Sequence, residues 1–561
     1  MTTVDLPAAA PKEAEATAPP AAPADRWAAT WLQFETLLDR AGDRLNPILV
    51  KEARQSMKSR QFVVTFSLLL VFGWLWTVLF ISFGVPAIFY APVGPGVLMG
   101  YYVVLSIPLL IVVPYAAFRS LAAEREDGTF ELLSITALSS RQIVLGKLGS
   151  AILQMMVYYS ALAPCIAFTY LLRGIDIITI GLFLAYTFLA SLLLSIFGLM
   201  MATVTRARHW QVLLSVVFVM ALLVFTFVWD MSFVSLLASR AAMPLDQVEF
   251  WIANLCMLSF YAPLATLLLF ISGGQITFAS ENRSTPIRMV LIVPQFLLVG
   301  WMIFFWVAYR VEEGFYVWTT VAAIYWAIAG AFLSGEMAHL SPRAKRQLPQ
   351  SFLGRTLFTW FNPGSGTGYV FAMLNLLSVM SVAWFAVLYG SILGQEVPSF
   401  TEWFCYTISL TGYVLAYIGI VRLAIVALRR VTPVGLLATF LCQVIVASGG
   451  VLFPLLLQTI ISWGDYTTFG YTMLQLPNYF WTLYEIAERS NFGGWELAII
   501  IGSVGGAIFL LNLLVAAGEV EHVRQQAPQR VLEDERQLHP QPEQRKKRNP
   551  WDEEPVSSEA M

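Results

Sequence analysis

Charge is scarce in this sequence. Asp, Glu, Lys and Arg make up 12% of its 561 residues, against about 25% in ordinary soluble domains. That shortage excludes a water-soluble globule. Cysteine and histidine are nearly absent, at four of each. Cys165, Cys256, Cys405 and Cys442 fall in apolar stretches without disulfide-like or metal-like spacing, and read as small buried hydrophobes. His209, His339, His522 and His539 stand far apart, so no metal cluster is expected. Phosphate-loop, H-E-x-x-H and G-x-S-x-G patterns are all missing. The nearest string to a phosphate loop, Leu145-Gly146-Lys147-Leu148, lacks the leading Gly and the Ser/Thr that would hold Mg²⁺. The chain is therefore not expected to be an enzyme or to bind ATP itself. A net charge of -2 with no basic stripe speaks against nucleic acid. The Ala/Pro-rich first 45 residues lack the basic and apolar regions of a signal peptide, and residues 1–25 read as disordered.

What the chain has is apolar length. Hydrophobic residues reach 58% and mean hydropathy is +0.68. Crossing a bilayer takes about 20 apolar residues in a helix. Twelve stretches qualify: about 62–84, 97–118, 148–172, 177–204, 211–238, 250–272, 289–309, 315–333, 369–393, 403–428, 434–462 and 497–517. Within them the charged residues are Asp230 and Arg422. The fold class expected is all-α, integral to a membrane, with about twelve transmembrane helices and the first span acting as its own insertion signal. Lys and Arg set the orientation. One side holds Lys51, Arg54, Lys58, Arg60, Arg119, Arg125, Arg141, Lys147, Arg206, Arg208, Arg283, Arg288, Arg343, Lys345, Arg346, Arg355, Arg429 and Arg430; the other holds Arg173, Arg240, Arg310 and Arg489. Both termini are thus expected in the cytoplasm. The aromatic-rich outer loop 463–496 reads as re-entrant or surface-lying. Residues 518–561 read as a charged cytoplasmic tail, with the basic cluster 545–548 either solvated or touching anionic lipid.

Against this background residues 119–147 form a charged island, with Arg119, Glu124, Arg125, Glu126, Asp127, Glu131, Arg141 and Lys147 between two apolar segments. Such density of charge cannot lie in hydrocarbon. It suits either a docking element for another protein or a loop resting on lipid headgroups. Residues 46–60 place Ile48, Leu49, Ala53 and Met57 near one helical face and Lys51, Arg54, Lys58 and Arg60 outward, as an interfacial helix would.

The run Glu124-Arg125-Glu126-Asp127-Gly128-Thr129-Phe130-Glu131-Leu132-Leu133, then Thr136-x-Leu138-Ser139-x-Arg141-Gln142-Ile143-Val144-Leu145-Gly146-Lys147, resembles the cytoplasmic coupling segment of ABC-2 type transport permeases. Asn46-Pro47-Ile48-Leu49-Val50-Lys51-Glu52-Ala53-Arg54 resembles the N-terminal interfacial helix of the same family. The likeness covers roughly residues 46–235 and departs at Ala137, where the family often has Pro. It implies the permease subunit of an ABC exporter in a bacterial cytoplasmic membrane. ATP and Mg²⁺ would sit on a separate ABC ATPase subunit. Glu124, Glu126, Gly128, Thr129, Glu131, Leu132, Leu133, Arg141 and Lys147 would form the coupling site, and Asn46, Pro47, Lys51, Glu52 and Arg54 the bordering helix. Gly128 would allow a tight turn, Thr129 would cap a short helix from Glu126 to Leu133, and Glu131 would pair with a basic partner residue, with Leu132, Leu133 and Ile135 as apolar anchors. The apolar interior would suit a lipid-like or amphiphilic substrate.

Other readings stay open. A non-transporting scaffold or sensor that recruits a cytoplasmic partner fits the same island. A membrane protease drawn from Glu312-Glu313 lacks a histidine on its side. Gln154, Asn254, Asn375, Gln443 and Asn512 read as helix–helix glue or as a substrate path, and Gly502, Gly505 and Gly506 as a close-packing face. Residues 61–272 and 273–517 read either as two fused six-helix units or as one unit with an unrelated extension; a homodimer of chains is equally open. In the fused reading, 334–368 is a second coupling loop, with Leu340-Ser341-Pro342-Arg343 faintly like Leu138-Ser139-Ser140-Arg141, and 282–286 stands in for the interfacial helix.

Overall fold

A computed structural model describes residues 46–84, 87–126, 139–204, 208–238, 243–277, 281–310, 312–338, 351, 354, 358–432, 434–462, 470–488, 494–524, 533–534 and 537–538. Among these there is no strand, and twelve helices are long and apolar enough to cross a membrane. They match the twelve expected stretches one for one. The chain is a multi-pass membrane protein.

Helix α1 (Pro47–Met57) is short and amphipathic. The spans are α2 (Arg60–Gly84), α3 (Gly94–Glu126), α4 (Ser140–Leu171), α5 (Ile177–Val204), α6 (Arg208–Ala238), α7 (Val248–Ile276), α8 (Ser284–Tyr309), α9 (Gly314–Leu333), α10 (Ser365–Ile392), α11 (Phe400–Leu428), α12 (Leu436–Ile461) and, after the short α13 (Tyr479–Glu488), α14 (Gly494–Arg524). Apolar side chains face outward from them: Trp74 is 68% exposed, Phe296 70% and Leu514 72%. An unpartnered apolar surface of this extent requires lipid as its solvent.

α3 carries a π-helical turn at Pro108–Val112. Pro108 and Pro114 donate no backbone hydrogen bond, which loosens the ladder there. The Leu109 carbonyl is taken instead by Ser191 Oγ of α5.

Each half packs in the same pattern. In the first, α3 packs on α2, α4, α5 and α6; α4 packs on α2, α5 and α7; and α5 packs on α6 and α7. In the second, α9 packs on α8, α10, α11 and α12; α10 packs on α8, α11 and α14; and α11 packs on α12 and α14. The halves meet mainly through α7 against α8. The tightest pair is α11 with α14, where a Cβ on Gly505 would sit 2.5 Å from the Gly412 carbonyl oxygen and one on Gly502 2.8 Å from Ile408. Gly506, expected to share that face, looks into open space.

Two boundaries differ from expectation. α14 runs on to Arg524, past the expected span end at 517, and Glu519 in this extension pairs with Arg422. Residues 284–286 are the first turn of α8, not a separate helix, and Asn282 caps them by accepting from the backbone N–H of Ser284 and Thr285. In the aromatic loop, 470–488 folds back onto α11 and α12. It buries Gln475, which donates to Gln458 Oε1 and the Pro454 carbonyl, and Asn478, which donates to Gln475 Oε1.

Candidate coupling site

The expected coupling residues fall in two groups. Gly128, Thr129, Glu131, Leu132 and Leu133 lie outside the described residues, as does Ala137. Glu124, Glu126, Arg141 and Lys147 belong to the two helix ends that flank them, and the structure joins those ends to one scaffold.

Lys147 is the centre of it. The sequence places it among the coupling residues, where Arg141 to Lys147 lead into the third span, and the structure buries its side chain to 1% exposure. Nζ lies 3.0 Å from Glu52 Oε1 and 3.1 Å from Glu124 Oε1, and donates to the Ser120 carbonyl at 3.1 Å. One ammonium thus binds α1, the end of α3 and the start of α4 together. Burial of a lone charge is prohibitive, while a paired and hydrogen-bonded one is tolerated. Lys51 approaches Glu124 from the open side at 3.9 Å, which brings the formal charges of the cluster to balance.

The geometry around Lys147 follows from small residues beside it. Ile48 and Leu49 of α1 lie on α4 where Gly146 and Gly149 leave room; a Cβ at Gly146 would be 2.9 Å from Ile48, and one at Gly149 2.8 Å from Leu49. Ser56 and Ser150 hydroxyls add a bond at 3.1 Å. Asn46 caps α1, accepting from the Ile48 N–H at 3.0 Å, and its amide donates to the Gln142 carbonyl. Pro47 opens the helix, where a missing N–H costs nothing. Glu52 is buried, whereas Lys51 and Arg54 point away from α4 on an exposed face.

The other contacts brace the same two ends. Arg125 Nη1 donates to the Thr203 carbonyl at the end of α5 at 2.9 Å, as a cation at a helix C-terminus does. Arg119 pairs with Glu126 at 3.1 Å on the half-exposed side. At the start of α4, Ser139 and Gln142 form a capping box. Arg141 stacks over the Phe270 ring at 4.6 Å, and Ser140 bonds Thr277 at 2.8 Å, so α4 begins against the end of α7.

The second half has comparable anchorage. Arg288, fully buried in α8, pairs with Glu336 at 2.5 Å and donates to the carbonyls of Trp360 and Gly364. Arg422 pairs with Glu519 at 2.8 Å and donates to Asn512 Oδ1 at 2.8 Å. The Glu519 carboxylate also accepts from the Gly366 N–H at 2.8 Å and from Ser365, the first residues of α10. Residues 339–350, which include Leu340 and Arg343, lie outside the described residues.

Sequence reasoning named Lys147 and Glu52 but missed Ser120, Gly146, Gly149 and Glu519. For the glycines a signal existed: the Gly-x-x-Gly spacing puts both on one helical face. The polar residues inside the spans do join helices in part. Asn254 accepts from Tyr186, Asn512 donates to the Gly419 carbonyl and Gln443 to that of Ile418, while Asn375 donates within its own helix, to Phe371. Cys405 is buried and the other three cysteines are partly so, all free. Glu312 and Glu313 form the turn that opens α9, and among the described residues no group of three metal-ligating side chains exists. Comparison of the chain with protein-family profiles, with curated proteins and with solved structures gives no match.

Proposed function

We propose that the chain is the permease subunit of an ABC-2 type transporter, moving a lipid-like or amphiphilic molecule outward and driven by a separate ATPase that docks at 119–147. One observation carries this reading: the buried Lys147 that locks α1 and the ends of α3 and α4 into one body. A force applied between Glu126 and Ser139 would be delivered to two spans and the helix beside them at once. A loop that merely rests on headgroups has no use for a buried ammonium with two carboxylates, since such a cluster tolerates the loss of neither partner.

The orientation belongs to the same proposal. The Lys147, Arg288–Glu336 and Arg422–Glu519 clusters lie at the span ends that the Lys/Arg bias places in the cytoplasm of a bacterial cell. The open basic face of α1, with Lys51, Arg54 and Lys58, is then free for anionic headgroups or for the ATPase.

The test is affinity capture of the full chain in mild detergent, with identification of what accompanies it. Recovery of a Walker-A ATPase by wild type, and its loss from Glu126→Ala with Glu131→Ala, is the expected result. An intact chain without any ATPase would leave the scaffold reading instead.

A further inference from the structure

We propose that Asp230 is a proton-binding site inside the first bundle, and that the proton it carries latches the C-terminal half of α6 to α3. This site does not depend on the permease reading.

Two charged residues lie inside the twelve apolar stretches, and they are treated differently. Arg422 finds a carboxylate in Glu519. Asp230 is only 8% exposed and has no ion pair among the described residues. Its helix packs on α3 and α5. Between Ile177 and Val204, α5 has no charged residue. The charged residues of α3 begin at Arg119, thirteen positions past Ser106 and so about 20 Å away along the helix. The titratable group that α3 does turn toward α6 is the Tyr102 phenol, which accepts from Trp229 Nε1 at 2.7 Å. A carboxylate buried without a counter-charge carries a prohibitive cost.

The hydrogen count points the same way. Ser106 Oγ lies 2.9 Å from the Val103 carbonyl oxygen and 2.9 Å from Asp230 Oδ2. A hydroxyl has one hydrogen and cannot donate to both. A proton on Oδ2 completes the run: the carboxyl donates to Ser106, and Ser106 donates to Val103. The run beside it needs no added proton. Trp229 donates to the Tyr102 hydroxyl, Tyr102 to Thr187 Oγ1, and Thr187 to the Phe183 carbonyl. The other carboxyl oxygen, Oδ1, is buried without a hydrogen-bond partner, as is Thr226 Oγ1 one turn earlier on the same face. A bare oxygen on a neutral carboxyl costs far less than one on a carboxylate. With the acid this enclosed, and no group of three metal-ligating side chains among the described residues, the ligand that fits is a proton rather than an amine or a metal ion.

What the proton holds is α6. Much of this span faces lipid, with Val216, Met220, Val224 and Phe227 exposed. Its C-terminal half meets α3 through the Asp230–Ser106 bond, the Trp229–Tyr102 bond and Phe233 stacked on Tyr102. Loss of the proton removes the donor to Ser106 and leaves an unpaired charge between the helices. The carboxylate then gains by reaching water past the helix end at Ala238, eight residues on, and that draws α6 away from α3.

The experiment is infrared difference spectroscopy of the full chain in lipid nanodiscs, wild type minus Asp230→Asn, at about pH 5.5, where a solvated aspartate is ionised. The expected result is the C=O band of a protonated carboxyl in wild type alone. A carboxylate band in its place would overturn the proposal. Ser106→Ala keeps the acid and removes its acceptor, so it serves even where Asp230→Asn does not fold: the protonated-carboxyl band should move, and an unmoved spectrum would count against the site. The latch is read by hydrogen exchange of segment 224–238, with the two chains compared at the same pH. As pH rises, wild type should exchange severalfold faster than Asp230→Asn, whose amide keeps a neutral donor for Ser106. Equal exchange across the range would overturn the latch. None of these readouts involves an ATPase, so their failure leaves the permease reading standing, and its failure leaves the proton site standing.

Discussion

At the scale of single residues, Lys147 and Lys51 make a controlled contrast. Both lie near Glu124, but one side chain is 1% exposed and the other 59%. Lys147→Met strips the buried Glu52 and the partly buried Glu124 of their counter-charge and should cost about 3–5 kcal/mol of stability, read as a lowered unfolding midpoint in detergent. Lys51→Met should leave that midpoint unchanged, because an exposed pair contributes little; equal effects of the two would show that burial is not what sets the role of Lys147. A second residue sets an acid limit. Asp176, just before α5, is pushed up by partial burial, yet the hydroxyl and backbone N–H of Thr179 and neighbouring backbone groups together hold it below the ordinary carboxylate range. A carboxyl depressed in the fold adds stability above its unfolded value, near pH 4, and the contribution fades as pH falls through the folded value. Asp176→Asn should therefore remove part of the acid sensitivity of unfolding below about pH 4. An unchanged acid profile would contradict the capping role.

At the scale of elements, α1 is held by shape as much as by charge. Gly146→Val puts a branched side chain where Ile48 already sits 2.9 Å from the would-be Cβ. Overpacking of this kind costs about 1–3 kcal/mol, and here it should act by lifting α1 from α4. Trypsin should then cut faster at Lys51, Arg54 or Lys58, while Gly181→Ala, at a site with open space around it, should leave cleavage as in wild type. The spans themselves were legible in the sequence, because a run of about 20 apolar residues has few other uses. The ends were less so. Glu519 reads as the start of a polar tail, since its partner Arg422 is 97 positions away and nothing local announces the pair. The burial of Lys147 is not announced locally either: it depends on Glu52, 95 positions upstream, meeting it across a glycine face. The return of 470–488 onto α11 was half visible in its aromatic content; the buried Gln458–Gln475–Asn478 chain that fixes it was not.

At the scale of the whole molecule, two packed halves meet mainly through α7 and α8. In each half charged clusters tie helix ends together. The most direct test of the coupling claim is a crosslink from the island itself. In a chain with Cys165, Cys256, Cys405 and Cys442 replaced, a cysteine at Thr129 should crosslink to the partner ATPase, with a yield that changes between ATP and ADP. A yield indifferent to nucleotide, or no crosslink to an ATPase that still binds elsewhere on an intact chain, would contradict it.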